Sequence, residues 1–139
     1  MAAGLVLGFD DSAGSRAALA VAVDLAVRLG EPLCIAFAAQ PPTLVGEESR
    51  AHGDALEELG DRLLAEARRT AEEAGAEVAT QVARERSVEL LTRLADERDA
   101  RFIVVGSYGE SPLRGAILGS TPHKLLHFSE RPVLAVPAR

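Results

Sequence analysis

Cysteine, long apolar runs, a basic excess and internal repeats are all scarce or missing in this chain, and each absence removes a class of protein. The single cysteine, Cys34, cannot close an internal disulfide and lies in an apolar strand-like run, where a small buried hydrophobe is expected rather than a redox centre. No apolar stretch approaches the roughly 20 residues a bilayer-spanning helix needs. The N-terminus has no basic region followed by a signal-like apolar segment, so a cytoplasmic protein with no membrane partner is expected. Lys and Arg number 15 against 21 Asp and Glu, a formal net charge of −6. A general nucleic-acid surface would show a clustered basic excess, so no nucleic-acid partner is expected. A mononucleotide is not excluded, because backbone amides and a divalent cation can hold phosphates without entering a count of charged residues. With no repeat, no low-complexity segment and no linker, 139 residues that are 47% apolar read as one domain, 1–139, able to bury a core.

What the chain does contain is an alternation of strand-like and helix-like segments, the pattern of a mostly parallel sheet covered by helices. Leu5 to Phe9 reads as a first buried strand. Asp10, Asp11 and Ser12 supply turn and helix-start chemistry, and a helix then runs to about Gly30. Leu19, Val23, Ala26 and Val27 share one face of it, with Val21, Leu25 and Leu29 beside them, while Asp24 and Arg28 are spaced to pair. Leu33 to Phe37 is the second strand, stopped by Pro41-Pro42. A long helix is expected from about Ser49 to Ala74, with Leu56, Leu59, Leu63, Ala67, Ala71 and Ala74 inward and Gly75 ending it. Its interior Gly53 and Gly60 each weaken it by up to about 1 kcal/mol relative to alanine. Charges such as Glu57 and Arg62 read as its solvated face. Glu77 to Ala83 alternates as an edge strand would. Ser87 to about Arg98 is a third helix with Val88, Leu91, Leu94 and Ala95 inward. A strand at 101–105, a glycine loop, a helix from about Thr121 to Phe128 and a strand Val133 to Val136 complete the chain.

The glycine loop carries the chemistry. Gly106-Ser107-Tyr108-Gly109, nine residues, then Gly119-Ser120 follows a buried-looking strand and opens into a helix. Two glycines three apart allow the backbone to turn and approach a ligand. The free N–H groups and positive dipole end of the helix start at Ser120 favour an anion, to which its hydroxyl adds a donor. A turn followed by an ordinary helix cap would use the same residues. Topology favours the ligand. Five strands and four helices in this order fit a three-layer doubly wound α/β fold with strand order 3-2-1-4-5, in which ligands bind beyond the strand ends where the order reverses. That reversal lies between the first and fourth strands, whose ends carry Gly8 to Asp10 and Gly106 to Gly109.

With these features in place, nearly the whole chain resembles the universal stress protein family, in its ATP-binding branch, of adenine nucleotide alpha hydrolase-like fold. Gly106-x-x-Gly109, nine residues, Gly119-Ser120 matches that branch's Gly-x-x-Gly, nine residues, Gly-Ser/Thr at every spacing. Val6 to Ser12, then Ser15 and Ala18-Leu19, is similar to the family's opening strand, turn and helix, and Arg131 to Val136 to its closing strand. The resemblance implies an ATP site carrying Mg2+ or Mn2+ on the phosphates. Asp10 matches the aspartate beside the nucleotide, a role favoured over the alternative that its carboxylate merely caps the next helix. Gly8 lies at the same strand end. Ala38 matches the position whose backbone meets adenine. Gly106, Ser107, Tyr108, Gly109, Glu110, Ser111 and Pro112 match the loop around ribose and phosphates, and Gly119, Ser120, Thr121 and Pro122 the phosphate-binding helix start.

Three residues depart from the pattern. Asp11 replaces the usual glycine of the opening turn and brings negative charge near the phosphates. Tyr108 stands where many members have a basic residue, whose place Arg114 is available to take. Pro122 lacks an N–H and suits the first helical position, so one phosphate donor is lost there.

Function is therefore expected to be that of a nucleotide-binding regulatory module. A dimerising stress protein that binds no ATP, or a slow ATPase with Asp10, Asp11 or His123 as base, are the alternatives, and no catalytic residue is assigned. The closing strand is expected at a sheet edge and, as in the family, to join a homodimer through Val133 to Val136. His123 and His127 stand four apart on one helix without an apparent third ligand, so no metal site is assigned to protein side chains.

Overall fold

A computed structural model of the chain describes residues 3–40, 46–107 and 119–138. The elements alternate without exception: β1 (Leu5–Gly8), α1 (Ala13–Leu29), β2 (Leu33–Ala38), α2 (Glu47–Glu73), β3 (Val78–Ala83), α3 (Ser87–Glu97), β4 (Phe102–Gly106), α4 (Ser120–Phe128) and β5 (Val133–Val136). All five strands form one parallel sheet in the order β3-β2-β1-β4-β5. This is the three-layer doubly wound arrangement expected from the sequence, with β3 and β5 at the edges.

Both sheet faces are covered, which is why the inner strands read as continuous apolar runs. Leu5, Leu7, Phe9, Leu33, Ile35, Phe37 and Val104 point to the layer of α1 and α2. Val6, Cys34, Ala36, Ile103 and Val105 point the other way, onto Leu90, Leu91 and Leu94 of α3 and Leu125 of α4. Cys34 is a buried free thiol whose pKa burial pushes up, in keeping with a packing role.

The helices turn slightly different faces inward than apolar spacing suggests. On α1 the buried stripe is Ala18, Leu19, Ala22, Val23 and Ala26, while Val27 and Leu29 are 44% and 45% exposed. On α2 it is Gly53, Gly60, Leu64, Ala67 and Ala71, and Leu59 and Ala74 lie outside it. The two glycines explain the rotation. A Cβ on Gly60 would lie 2.5 Å from Phe37 Cδ1, and one on Gly53 would meet the Arg84 guanidinium. They let α2 settle close to the sheet rather than merely weakening it. On α3, Leu90 is buried and Val88 only partly so.

Local chemistry fixes the element ends. Ser12 caps α1, its hydroxyl accepting from Ser15 N–H at 3.1 Å. Gly75 (φ +97°) ends α2, its N–H reaching Glu72 O while Ala76 N–H reaches Ala71 O. Glu57, expected in solvent, pairs with Arg84 at 2.7 Å, and Asp54 joins the same guanidinium, tying α2 to the end of β3. At the opposite sheet end Glu31, 8% exposed, holds Arg101 through Nε at 2.9 and 3.0 Å.

Candidate functional site

Where the strand order reverses, the C-terminal ends of β1 and β4 diverge and leave a cavity of about 300 Å³. Its wall carries Gly8 and Asp10 from the end of β1, Ala36 and Ala38 from β2, Val105 and Gly106 from β4, and Gly119, Ser120, Thr121 and Pro122 from the start of α4. Eight of the sequence-expected residues thus meet around one space. Ser107 does not line it. Its side chain is 7% exposed, and its Oγ finds no hydrogen-bond partner among the described residues. Tyr108, Gly109, Glu110, Ser111 and Pro112, with Arg114, lie outside the described residues.

Each wall has a local cause. Gly106 is required where β4 meets α1: a Cβ there would lie 2.5 Å from the carbonyl carbon of Gly14 and 2.8 Å from its oxygen. The glycine therefore serves the approach of α1 to the strand end. At Gly8 a Cβ would meet Leu91 Cδ1 at 3.0 Å, so α3 closes tightly against β1.

Asp10 does not cap α1, since Ser12 does. Its Oδ1 accepts from Ser12 N–H at 3.0 Å and its own N–H donates to Ser15 Oγ at 3.2 Å. The turn is held from within, and the Asp10 side chain is left exposed at the cavity rim. Asp11 has φ +66°, the left-handed region, which accounts for a glycine being favoured at this position. Its carboxylate lies 3.3 Å from Arg16 Nη1, and the residue is not part of the wall. Arg16 thus stands beside the negative charge that the sequence sets at this turn.

The start of α4 lies one residue before the expected Thr121 and two before the point that would make Pro122 first. Gly119 is the N-cap in extended conformation and Ser120 the first helical residue, so Pro122 is third rather than first. No N–H is lost from the helical ladder, because donors of the first turn have no intrahelical acceptor. Among the described residues no side chain caps this end. Gly119 N–H donates to Ser107 O at 2.6 Å, and Ser107 N–H to Val136 O at 2.8 Å, which moors the helix start to the strand ends.

The sequence reading did not assign Ser12, Ser15, Ser87, Leu90 and Leu91 to this wall. Ser87 and the two leucines come from α3, whose N-terminus must rise at the same sheet edge as every helix that follows a parallel strand, so the topology itself was the missed signal. Among the described residues no Lys or Arg lines the cavity.

Comparison with known families agrees with this geometry. The model of the "Universal stress protein family" matches residues 2–137. The chain belongs to the universal stress protein family. Among solved structures of the family, universal stress protein UspA from Lactobacillus plantarum superposes with a TM-score of 0.84 at 15% identity, covering 98% of this chain and 99% of that one. A universal stress protein in complex with cAMP is 30% identical over the full length of both chains, with a TM-score of 0.70. The Archaeoglobus fulgidus universal stress protein in complex with dAMP is 19% identical, covers 96% of this chain and 97% of that one, and has a TM-score of 0.65. No curated protein sequence matches the chain. No helix among the described residues is long and apolar enough to cross a membrane.

Proposed function

We propose that this chain is a nucleotide-binding regulatory module that takes ATP, with Mg2+ or Mn2+ on its phosphates, into the cavity between the ends of β1 and β4. The observation that carries the reading is the convergence of Gly8, Asp10, Ala38, Gly106, Gly119, Ser120, Thr121 and Pro122, four segments far apart in sequence, on one wall. Complexes of relatives with cAMP and dAMP support an adenine nucleotide as the ligand class.

The donor set fits such a ligand. Apolar side chains of β2 and α3, Ala36, Leu90 and Leu91 among them, suit a base, with Ala38 presenting backbone to adenine. The first turn of α4 suits a phosphate through the Ser120 and Thr121 N–H groups and hydroxyls, with Pro122 contributing shape and no donor. With no basic residue on the described wall, a divalent cation is the natural counter-charge, and Asp10 at the rim suits its water shell. In this reading Tyr108 to Pro112 keep the role around ribose and phosphates that the family resemblance implies, whereas the buried Ser107 side chain is not part of the wall.

We place the protein in the cytoplasm as one domain, 1–139, dimerising through Val133 to Val136. No residue is assigned to turnover. Calorimetric titration with Mg-ATP is expected to give one nucleotide per chain, and absence of binding at millimolar nucleotide overturns the reading. Mass spectrometry of the nucleotide that co-purifies would separate ATP from a monophosphate.

A further inference from the structure

The geometry points to a second ligand site on the outer flank of α4: a chelate for one borderline divalent transition-metal ion, Zn2+, Ni2+ or Cu2+, held by His123 and His127. A spacing of four sets both imidazoles on one helix face, one turn apart, the arrangement that lets two histidines of a helix share an ion. Their ring centroids are 4.9 Å apart. Two imidazoles bound to one ion at about 2.1 Å, with an angle of roughly 90–110° between the bonds, place their centroids roughly 4.5–5.2 Å apart. The observed pair, in edge-on contact with its ring planes 72° apart, has a centroid spacing within that range.

Access and charge favour the site. Both histidines are exposed. Thr121, Lys124 and Phe128 line a groove with Val88 and Glu89 of α3, and neither histidine is among the residues that line it. Imidazole nitrogen suits zinc, nickel and copper rather than Mg2+ or Mn2+, which keeps this site chemically separate from a metal carried on nucleotide phosphates. Among the described residues no third His, Cys, Asp or Glu joins the pair, so water fills the remaining positions and the ion exchanges freely, unlike a closed structural zinc. The ion would brace the helix whose first residues line the cavity, His123 N–H itself donating to Gly119 O at 3.1 Å.

Calorimetric titration of Ni2+ into the full, tag-free chain tests this. One ion per chain is expected. His123→Asn and His127→Asn should each weaken binding on the order of 10²-fold, the advantage of a second tethered ligand. His52→Asn, on α2, should change nothing. No binding by the unaltered chain, or an unchanged isotherm in the double variant His123→Asn/His127→Asn, overturns the assignment. A measurement on the unaltered chain removes dependence on variants: substoichiometric Cu2+ should broaden the ring signals of His123 and His127 in NMR and spare His52. Equal broadening of all three, or of His52 alone, contradicts the site.

Discussion

At the scale of the residue, the site depends on one missing methyl group. Gly106 stands where the first turn of α1 presses on the end of β4, and the atoms that would collide with a Cβ are backbone atoms of Gly14, which cannot rotate aside. Gly106→Ala should therefore push α1 off the strand end and destabilise the fold by about 2–3 kcal/mol, in the overpacking range. Urea unfolding would measure it, and a loss below about 0.5 kcal/mol, the level of ordinary surface changes, would contradict the packing role. The glycine was legible from the sequence because the pattern around it is specific; its use was not. A glycine in a loop suggests a turn, whereas the close approach of a helix that begins more than ninety residues earlier leaves no trace in the local pattern. Asp11 shows the same gap. Its charge is evident in the sequence, but its left-handed backbone and its engagement with Arg16 emerge only once the turn is built.

At the scale of the element, all nine among the described residues were legible in kind and order, because strand runs buried on both faces and long amphipathic helices give strong periodic signals. Helix orientation was less so. Apolar spacing on α2 finds Ala67 and Ala71, and Leu56 and Leu63 at the margin of the core, but it also selects the exposed Leu59 and misses Gly53, Gly60 and Leu64, because a glycine is invisible to a count of apolar side chains while offering the closest approach. Gly60→Ala sets two effects against each other. Alanine favours the helix by about 1 kcal/mol, and the added methyl meets the Phe37 ring at a distance that demands rearrangement, which costs about 1–3 kcal/mol. The packing effect wins. A net destabilisation of about 1 kcal/mol is expected in thermal or chemical unfolding, and a stabilised variant would mean that Phe37 yields freely.

At the scale of the whole molecule, long-range polar contacts close the sheet end opposite the cavity. Glu31, just after α1, holds Arg101 at the entrance to β4 across 70 residues of sequence, a pairing no local pattern signals. The hydrogen bond from Arg101 holds the Glu31 carboxyl below its ordinary 4.5, against the upward pull of burial. A lowered folded-state pKa contributes stability that is full above the unfolded value and is lost as pH falls through the folded one. The stability difference between wild type and Glu31→Gln should accordingly be largest above pH 4.5 and shrink as pH falls below it, as read by urea midpoints along a pH series. A difference that grew on acidification would reverse the assignment.

The other edge concerns assembly. β5 is short, lies at the sheet border and leaves Leu134 37% exposed. In the proposed dimer, light scattering at high micromolar concentration should give twice the chain mass, and Leu134→Lys, a charge of the kind that guards edge strands, should return it to one chain. Wild-type protein of monomeric mass would contradict the pairing.

The two hydrogen bonds that run from Gly119 to Ser107 and from Ser107 to Val136 give that border a reach beyond itself. The end of β5 and the N-cap of α4 are thereby both tied to Ser107 after β4, so in the proposed nucleotide-bound dimer strain at the sheet border and occupancy of the helix start would act on the same two ties. Thermodynamic linkage then runs in both directions. Whatever factor a docked second chain imposes on ligand affinity, the ligand must impose on the association of the chains. A signal carried this way would need neither a hinge nor a domain motion, only a change in how tightly these two hydrogen bonds are held.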